Sequence, residues 1–123
     1  MKLLAVSQRV NKFSEIDERR DALDQRFTSL FYNSGYVIAP IPNFPSKNFI
    51  DDFVYKFLKR LRPDGIVISG GDDFGVSVER DLTEFELLNF AKKRGLPVLG
   101  ICRGMQVIGV YEGTKLIPAE NHA

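Results

Sequence analysis

The sequence has 123 residues, enough for a single domain spanning 1–123 that buries roughly two-thirds of its unfolded surface. Its 17 basic and 16 acidic residues leave a net charge of +1, which argues against a nucleic-acid or membrane surface as the main partner. The single cysteine excludes an internal disulfide and fits a reducing, cytoplasmic setting.

Short apolar runs alternate with amphipathic helical patterns along the chain. Leu3 to Val6 reads as a first strand, with an apolar run too short for a signal peptide. A polar loop is expected next, through Asn11, Ser14 and Asp17. Leu23, Phe27, Leu30 and Phe31 then recur with helical spacing, and Gly35 is a plausible stop. Tyr36 to Ile41 reads as a second strand. Phe49, Ile50, Phe53, Val54, Phe57, Leu58 and Leu61 form the clearest helical stripe, with Lys56, Lys59 and Arg60 on the other face. Gly65 to Ile68 is a third strand, closed by Ser69-Gly70-Gly71. A helix from about Arg80 to Arg94 follows and stops at Gly95-Leu96-Pro97. Val98 to Ile101 is a fourth strand, Cys102 comes next, and a helix runs to about Tyr111. The tail from Thr114 to Ala123 has room for one more short strand. No run of about 18 apolar residues suggests a membrane-crossing helix.

Strands alternating with helices imply α/β architecture: a three-layer, doubly wound, mostly parallel sheet of flavodoxin-like type. Such sheets bind ligands beyond the carboxyl ends of their strands. Here those ends carry Ser7-Gln8-Arg9, Asn43, Ser69-Gly70-Gly71 and Cys102, so polar and glycine residues gather on one rim.

Gly100-x-Cys102-x-Gly104 is the cysteine form of the G-x-S-x-G elbow, placed between a strand and a helix as that motif requires. The turn lifts the sulfur out of the sheet and sets it at a helix N-terminus, where the dipole and free N–H groups favour a thiolate. The backbone N–H of Arg103 then supplies half of an oxyanion hole, and Gly70-Gly71 is the natural source of the other half. These parts suit acyl transfer through a thioester, with no metal and no cofactor. The alternative for Cys102 is a small core hydrophobe, for Gly70-Gly71 a plain turn, and for Gln106 a solvent-facing side chain.

The segment from Pro97 to Gln106, Pro-Val-Leu-Gly-Ile-Cys-Arg-Gly-Met-Gln, resembles the nucleophile segment of class I glutamine amidotransferases. Ile66 to Gly71 resembles the oxyanion strand of that family. Arg80-Asp81-Leu82-Thr83-Glu84-Phe85-Glu86 and the Cys-Arg-Gly spelling resemble its γ-glutamyl hydrolase branch, the peptidase C26-like proteins. The resemblance implies Cys102 as nucleophile, the N–H groups of Gly71 and Arg103 as oxyanion donors, and Gln106 as a contact to the glutamate head group. It implies glutamine or another small γ-glutamyl amide as substrate. Ser7-Gln8-Arg9 and Arg20 to Phe27 are similar to a sub-branch acting on γ-glutamyl-linked nucleotide amides. Arg9 and Gly70, both on the rim, are further substrate-binding candidates.

That family completes its triad with a His-x-Glu pair far downstream of the cysteine. This sequence has one histidine, His122, and no His-x-Glu, and Ala123 lies 21 residues beyond Cys102. A histidine beside a chain end is a poor candidate for a fixed base. A truncated chain is therefore expected, lacking the later strands, with weak or absent hydrolase activity and an uncovered sheet edge or apolar face that favours self-association. Two other readings stand beside the hydrolase: an ammonia-supplying glutaminase subunit of a synthetase, and a non-catalytic flavodoxin-like binding module.

Overall fold

The computed structural model describes residues 1–71 and 75–113. Six strands and four α-helices follow in the order β1 (Lys2–Val6), β2 (Arg9–Phe13), β3 (Glu18–Ala22), α1 (Arg26–Asn33), β4 (Tyr36–Pro40), α2 (Ile50–Leu61), β5 (Gly65–Ile68), α3 (Val78–Arg94), β6 (Val98–Gly100) and α4 (Arg103–Tyr111). The expected alternation of strand and helix holds for most of this length. The tail strand expected after Thr114 lies outside the described residues.

Four strands form a parallel sheet in the order β4-β1-β5-β6. Numbered among themselves, these run 2-1-3-4, the flavodoxin-like order. Successive residues of a strand face opposite sides. Ala5, Ile66 and Ile68 therefore meet α2, α3 and α4 on one face, through Val54, Leu58, Leu87 and Val107. Val6 and Val67 meet α1 on the other, through Phe31, with Phe27 stacked on Phe31 at 6.1 Å between ring centres. The expected three-layer architecture is thus present.

The first loop is where the structure departs from the sequence reading. The polar segment through Asn11, Ser14 and Asp17 is an antiparallel hairpin, β2 on β3, with Arg9 opposite Ala22 and Phe13 opposite Glu18. Its strands carry few apolar side chains, so backbone pairing and polar ties hold it. Arg19 Nε and Nη2 donate to Glu79 Oε2 and Oε1 at 2.9 and 2.7 Å. Asn43 N and Nδ2 donate to Asp21 Oδ2 and Oδ1 at 3.0 and 2.9 Å. Smaller shifts follow from the same cause, local context that periodicity does not see. Helix α1 begins at Arg26, after Leu23, and Leu30 faces solvent. Helix α3 begins at Val78, and Phe49 lies exposed just before α2.

Strand β6 ends the order on one side, and Val98 and Leu99 are 36% and 50% exposed there. On the α1 face, Lys2, Leu4, Tyr36, Pro97, Val98 and Leu99 border an open apolar cavity of about 240 Å³. An uncovered sheet edge and apolar face are thus present among the described residues.

Candidate active site at the carboxyl rim of the sheet

The turn between β6 and α4 is built by exclusion. A Cβ on Gly104 would stand 2.0 Å from Ile68 O, and one on Gly100 would meet Ile108 Cδ1 at 2.7 Å and Gly104 O at 2.9 Å. Only glycine lets α4 start this close to β5 and β6. Between them Cys102 holds φ 51° and ψ −109°, outside the usual basins. Such a backbone costs about 1–3 kcal/mol and persists only when its surroundings impose it. Here they do: Ile101 N donates to Ile68 O at 3.0 Å, Gly104 N to Ile101 O at 2.8 Å, and Met105 N to Cys102 O at 3.0 Å. The result is an exposed cysteine at the first turn of a helix.

Cys102 opens onto a cleft of about 240 Å³ whose walls include Arg9, Asp24, Phe27, Gly70 and Gly71. Gly70 lies against the turn, its would-be Cβ 3.7 Å from Cys102 Cβ. Gly71 has φ 128°, and a Cβ there would come within 2.8 Å of Arg80 Nη1 and 3.2 Å of Arg9 Cβ. The structure therefore brings Cys102, Gly70, Gly71 and Arg9 to one cleft. Gln106 lies exposed one turn into α4, outside the cleft wall. Arg103 also stays out of the wall, because its side chain turns inward and is buried. His122 lies outside the described residues.

Beneath the rim sits a buried ionic cluster. Arg103 pairs with both Asp81 and Glu84. Glu84, wholly buried, also accepts from Arg80 Nε at 3.3 Å and from Ser7 Oγ at 2.6 Å. Arg80 Nη2 donates to Ser69 O at 2.9 Å and Gly70 O at 2.8 Å. Ser69 N donates to Ser7 Oγ at 2.9 Å, and Ser69 Oγ to Ser7 O at 2.6 Å. The cluster fills the junction between β1 and β5, where the winding direction of the sheet reverses. Two arginines and two carboxylates cancel in charge, the condition for burying them together. Burial pushes the Asp81 carboxyl up, against the opposing pull of the Gly75 N–H and the Arg103 guanidinium.

Sequence periodicity missed this cluster. Arg80, Asp81 and Glu84 stand at the start of the helix expected from about Arg80; the only signal was three charges within five residues, at the segment that resembles the hydrolase branch. It also missed Asp24. The Arg26 side chain and backbone N–H hold that carboxyl down at about 2, with Arg9 adding a smaller pull. Among the described residues no three His, Cys, Asp or Glu side chains gather as metal ligands, and no helix is long and apolar enough to cross a membrane.

Known proteins share this arrangement of sequence. The family model described as Peptidase C26 matches residues 3–121. The chain is 29% identical over 125 aligned positions to a gamma-glutamyl-CDP-amidate hydrolase of Campylobacter jejuni, covering 97% of this chain and 60% of that protein. It is 30% identical to anthranilate synthase component 2 of Saccharolobus solfataricus, over 73% of this chain and 46% of that one. It is 44% identical to the glutamine-hydrolyzing GMP synthase of Aliarcobacter butzleri, over 49% of this chain and 11% of that one. The chain thus spans at most three-fifths of the length of these relatives. Matched along nearly its whole length, and folded as a parallel sheet with a glycine-bounded cysteine turn on its rim, the chain belongs to the Peptidase C26 family of class I glutamine amidotransferase-like proteins.

Proposed function

We propose that this chain carries the attacking half of a γ-glutamyl amide hydrolase, working through a thioester on Cys102. The observation that supports it best is the turn itself. A sole, exposed cysteine is held at φ 51° between two glycines that cannot be replaced without a clash, facing a cleft lined by Gly70, Gly71 and Arg9. In this reading Cys102 Sγ attacks the γ-carbonyl carbon, and the N–H groups of Gly71 and Arg103 receive the oxyanion. The C–N bond breaks, and the amine leaves with the proton that the thiol gives up. Water then hydrolyses the thioester to glutamate and returns the thiol.

The head group of such a substrate carries an α-carboxylate and an α-ammonium. Arg9 and Asp24 offer the matching charges within the cleft wall. Gln106, exposed one turn beyond the cysteine, is a further head-group contact that the family resemblance implies. The sequence holds one histidine, His122, and no His-x-Glu pair. With no oriented base to carry the proton from sulfur to the leaving amine, the 123 residues alone would act slowly on amides and faster on an activated ester.

A second reading has support of its own. Two relatives are named as a synthase component and a glutamine-hydrolyzing synthase, and the β6 edge exposes Val98 and Leu99. A synthetase partner seated there would complete an ammonia-supplying unit, and ammonia release would rise when that partner is added.

The test is covalent labelling. A chloromethyl ketone analogue of glutamine should add one equivalent at Cys102, found by peptide mass. Glutamine or a γ-glutamyl amide should slow the labelling, and Cys102→Ala should abolish it. Labelling at an ordinary thiol rate with no protection by any γ-glutamyl compound would sink the proposal.

A further inference from the structure

The ionic cluster under the rim touches both backbone segments that border the cysteine. Arg80 Nη2 binds the carbonyls of Ser69 and Gly70. The Gly70–Gly71 peptide is trans, so with its carbonyl held by Arg80 the Gly71 N–H points the opposite way, away from that guanidinium. On the other segment, Arg103 is the first residue of α4, and its side chain reaches back to Asp81 and Glu84. Glu84 joins the two systems: Oε1 accepts from Arg103, and Oε2 accepts from Arg80. Both segments are thus tied to the first two turns of α3.

Net stabilisation is a weak reason for such an arrangement. A buried ion network is often no more stable than apolar side chains of the same volume. What it does provide is direction, because a guanidinium presents its donors in a fixed planar fork.

We propose that Arg80 and the Arg103 side chain are positioning residues, which through the shared carboxylate of Glu84 hold the Gly71 and Arg103 N–H groups at a fixed separation around the carbonyl oxygen of the substrate. This rests on the acyl-transfer reading above. It adds side chains that touch no substrate and act through the backbone, and a reason for four charged side chains to be buried next to a reactive turn.

The test compares two reactions of the same sulfur in the full chain. Acylation by the p-nitrophenyl ester of γ-glutamate passes through an oxyanion: the S–C bond forms, the C–O bond breaks, and p-nitrophenolate leaves with the electron pair. It needs no acid for the leaving group and is read as a stoichiometric burst. Alkylation by iodoacetamide is a direct displacement at carbon and forms no oxyanion. Arg80→Gln should slow the burst by about 100-fold, on the scale of a lost oxyanion donor, while alkylation stays within about twofold. Arg80→Lys, which keeps the charge without the fork, should recover about a tenth of the parental burst rate. An unchanged burst in Arg80→Gln overturns the proposal, and so does an equal fall in both reactions. If Arg80→Gln does not fold, Arg80→Lys carries the comparison, and loss of folding in both assigns Arg80 to stability alone. A parent that alkylates normally yet gives no burst refutes the acyl-transfer reading itself, a different result from any of these.

Discussion

Replacing Gly104 by alanine tests the packing that creates the cysteine turn. A Cβ at this position would approach Ile68 O to 2.0 Å, about 1.4 Å short of the 3.4 Å where ordinary contact begins. The obstacle is backbone in a buried strand, with Ile68 itself fully enclosed, so it has no side chain to swing aside. Helix α4 must therefore back away from β5 by an ångström or more. Alanine gains about 1 kcal/mol of helix propensity over glycine, but overpacking of this kind costs about 1–3 kcal/mol, and more where backbone must move. We expect a net loss of about 1–2 kcal/mol, or about 4–8 °C in Tm at roughly 4 °C per kcal/mol for a domain this size. Displacing the turn by about an ångström should also slow acylation of Cys102 by about 100-fold, since that misplacement is typically worth as much. Thermal melts by circular dichroism and the ester burst measure the two effects. A Gly104→Ala protein with parental or higher Tm would mean that propensity outweighs contact, and that α4 does not press on Ile68 as described.

Leu58→Ala, at a fully buried position of α2, should cost about 2–5 kcal/mol through lost burial and a cavity, read as a fall in the urea midpoint with the slope unchanged. Arg19→Ala removes the bidentate tie of the hairpin to Glu79; since the Arg19 side chain is 43% exposed, the cost should stay below about 1 kcal/mol and shrink with added salt, while hydrogen exchange quickens in β2 and β3. Asp24 should titrate near 2 by carboxyl carbon NMR. Because its folded pKa is depressed, its contribution to stability is present above the unfolded carboxylate value and disappears as pH falls through about 2. Arg26→Ala should return the midpoint toward the ordinary aspartate value, and an unmoved midpoint would rule out Arg26 as its cause.

Much of the fold was legible because buried parallel strands and one-faced helices write themselves into apolar spacing. Gly65 to Ile68 is a run of four residues, all buried, and α2 shows its inward face as Ile50, Val54 and Leu58. The elbow was legible for a different reason: steric necessity leaves glycine on both sides of Cys102. The hairpin was not, because β2 buries only Val10 and β3 nothing, and a polar ribbon has no apolar alternation to detect. The ionic cluster was hidden more deeply. Arg80 and Glu84 look solvated until Arg103, 19 residues after Glu84, supplies the charge that lets them be buried. A pattern within one helix carries no sign of that distant partner.

The single sulfhydryl has a practical consequence. Cys102 is exposed and the sequence contains no other cysteine. Any thiol-selective fluorophore, spin label or fluorinated tag therefore reports from one address, the wall of the cleft, with no background residues to remove. Ligand entry and docking of a second protein against β6 each become observable as a change in one signal from one atom.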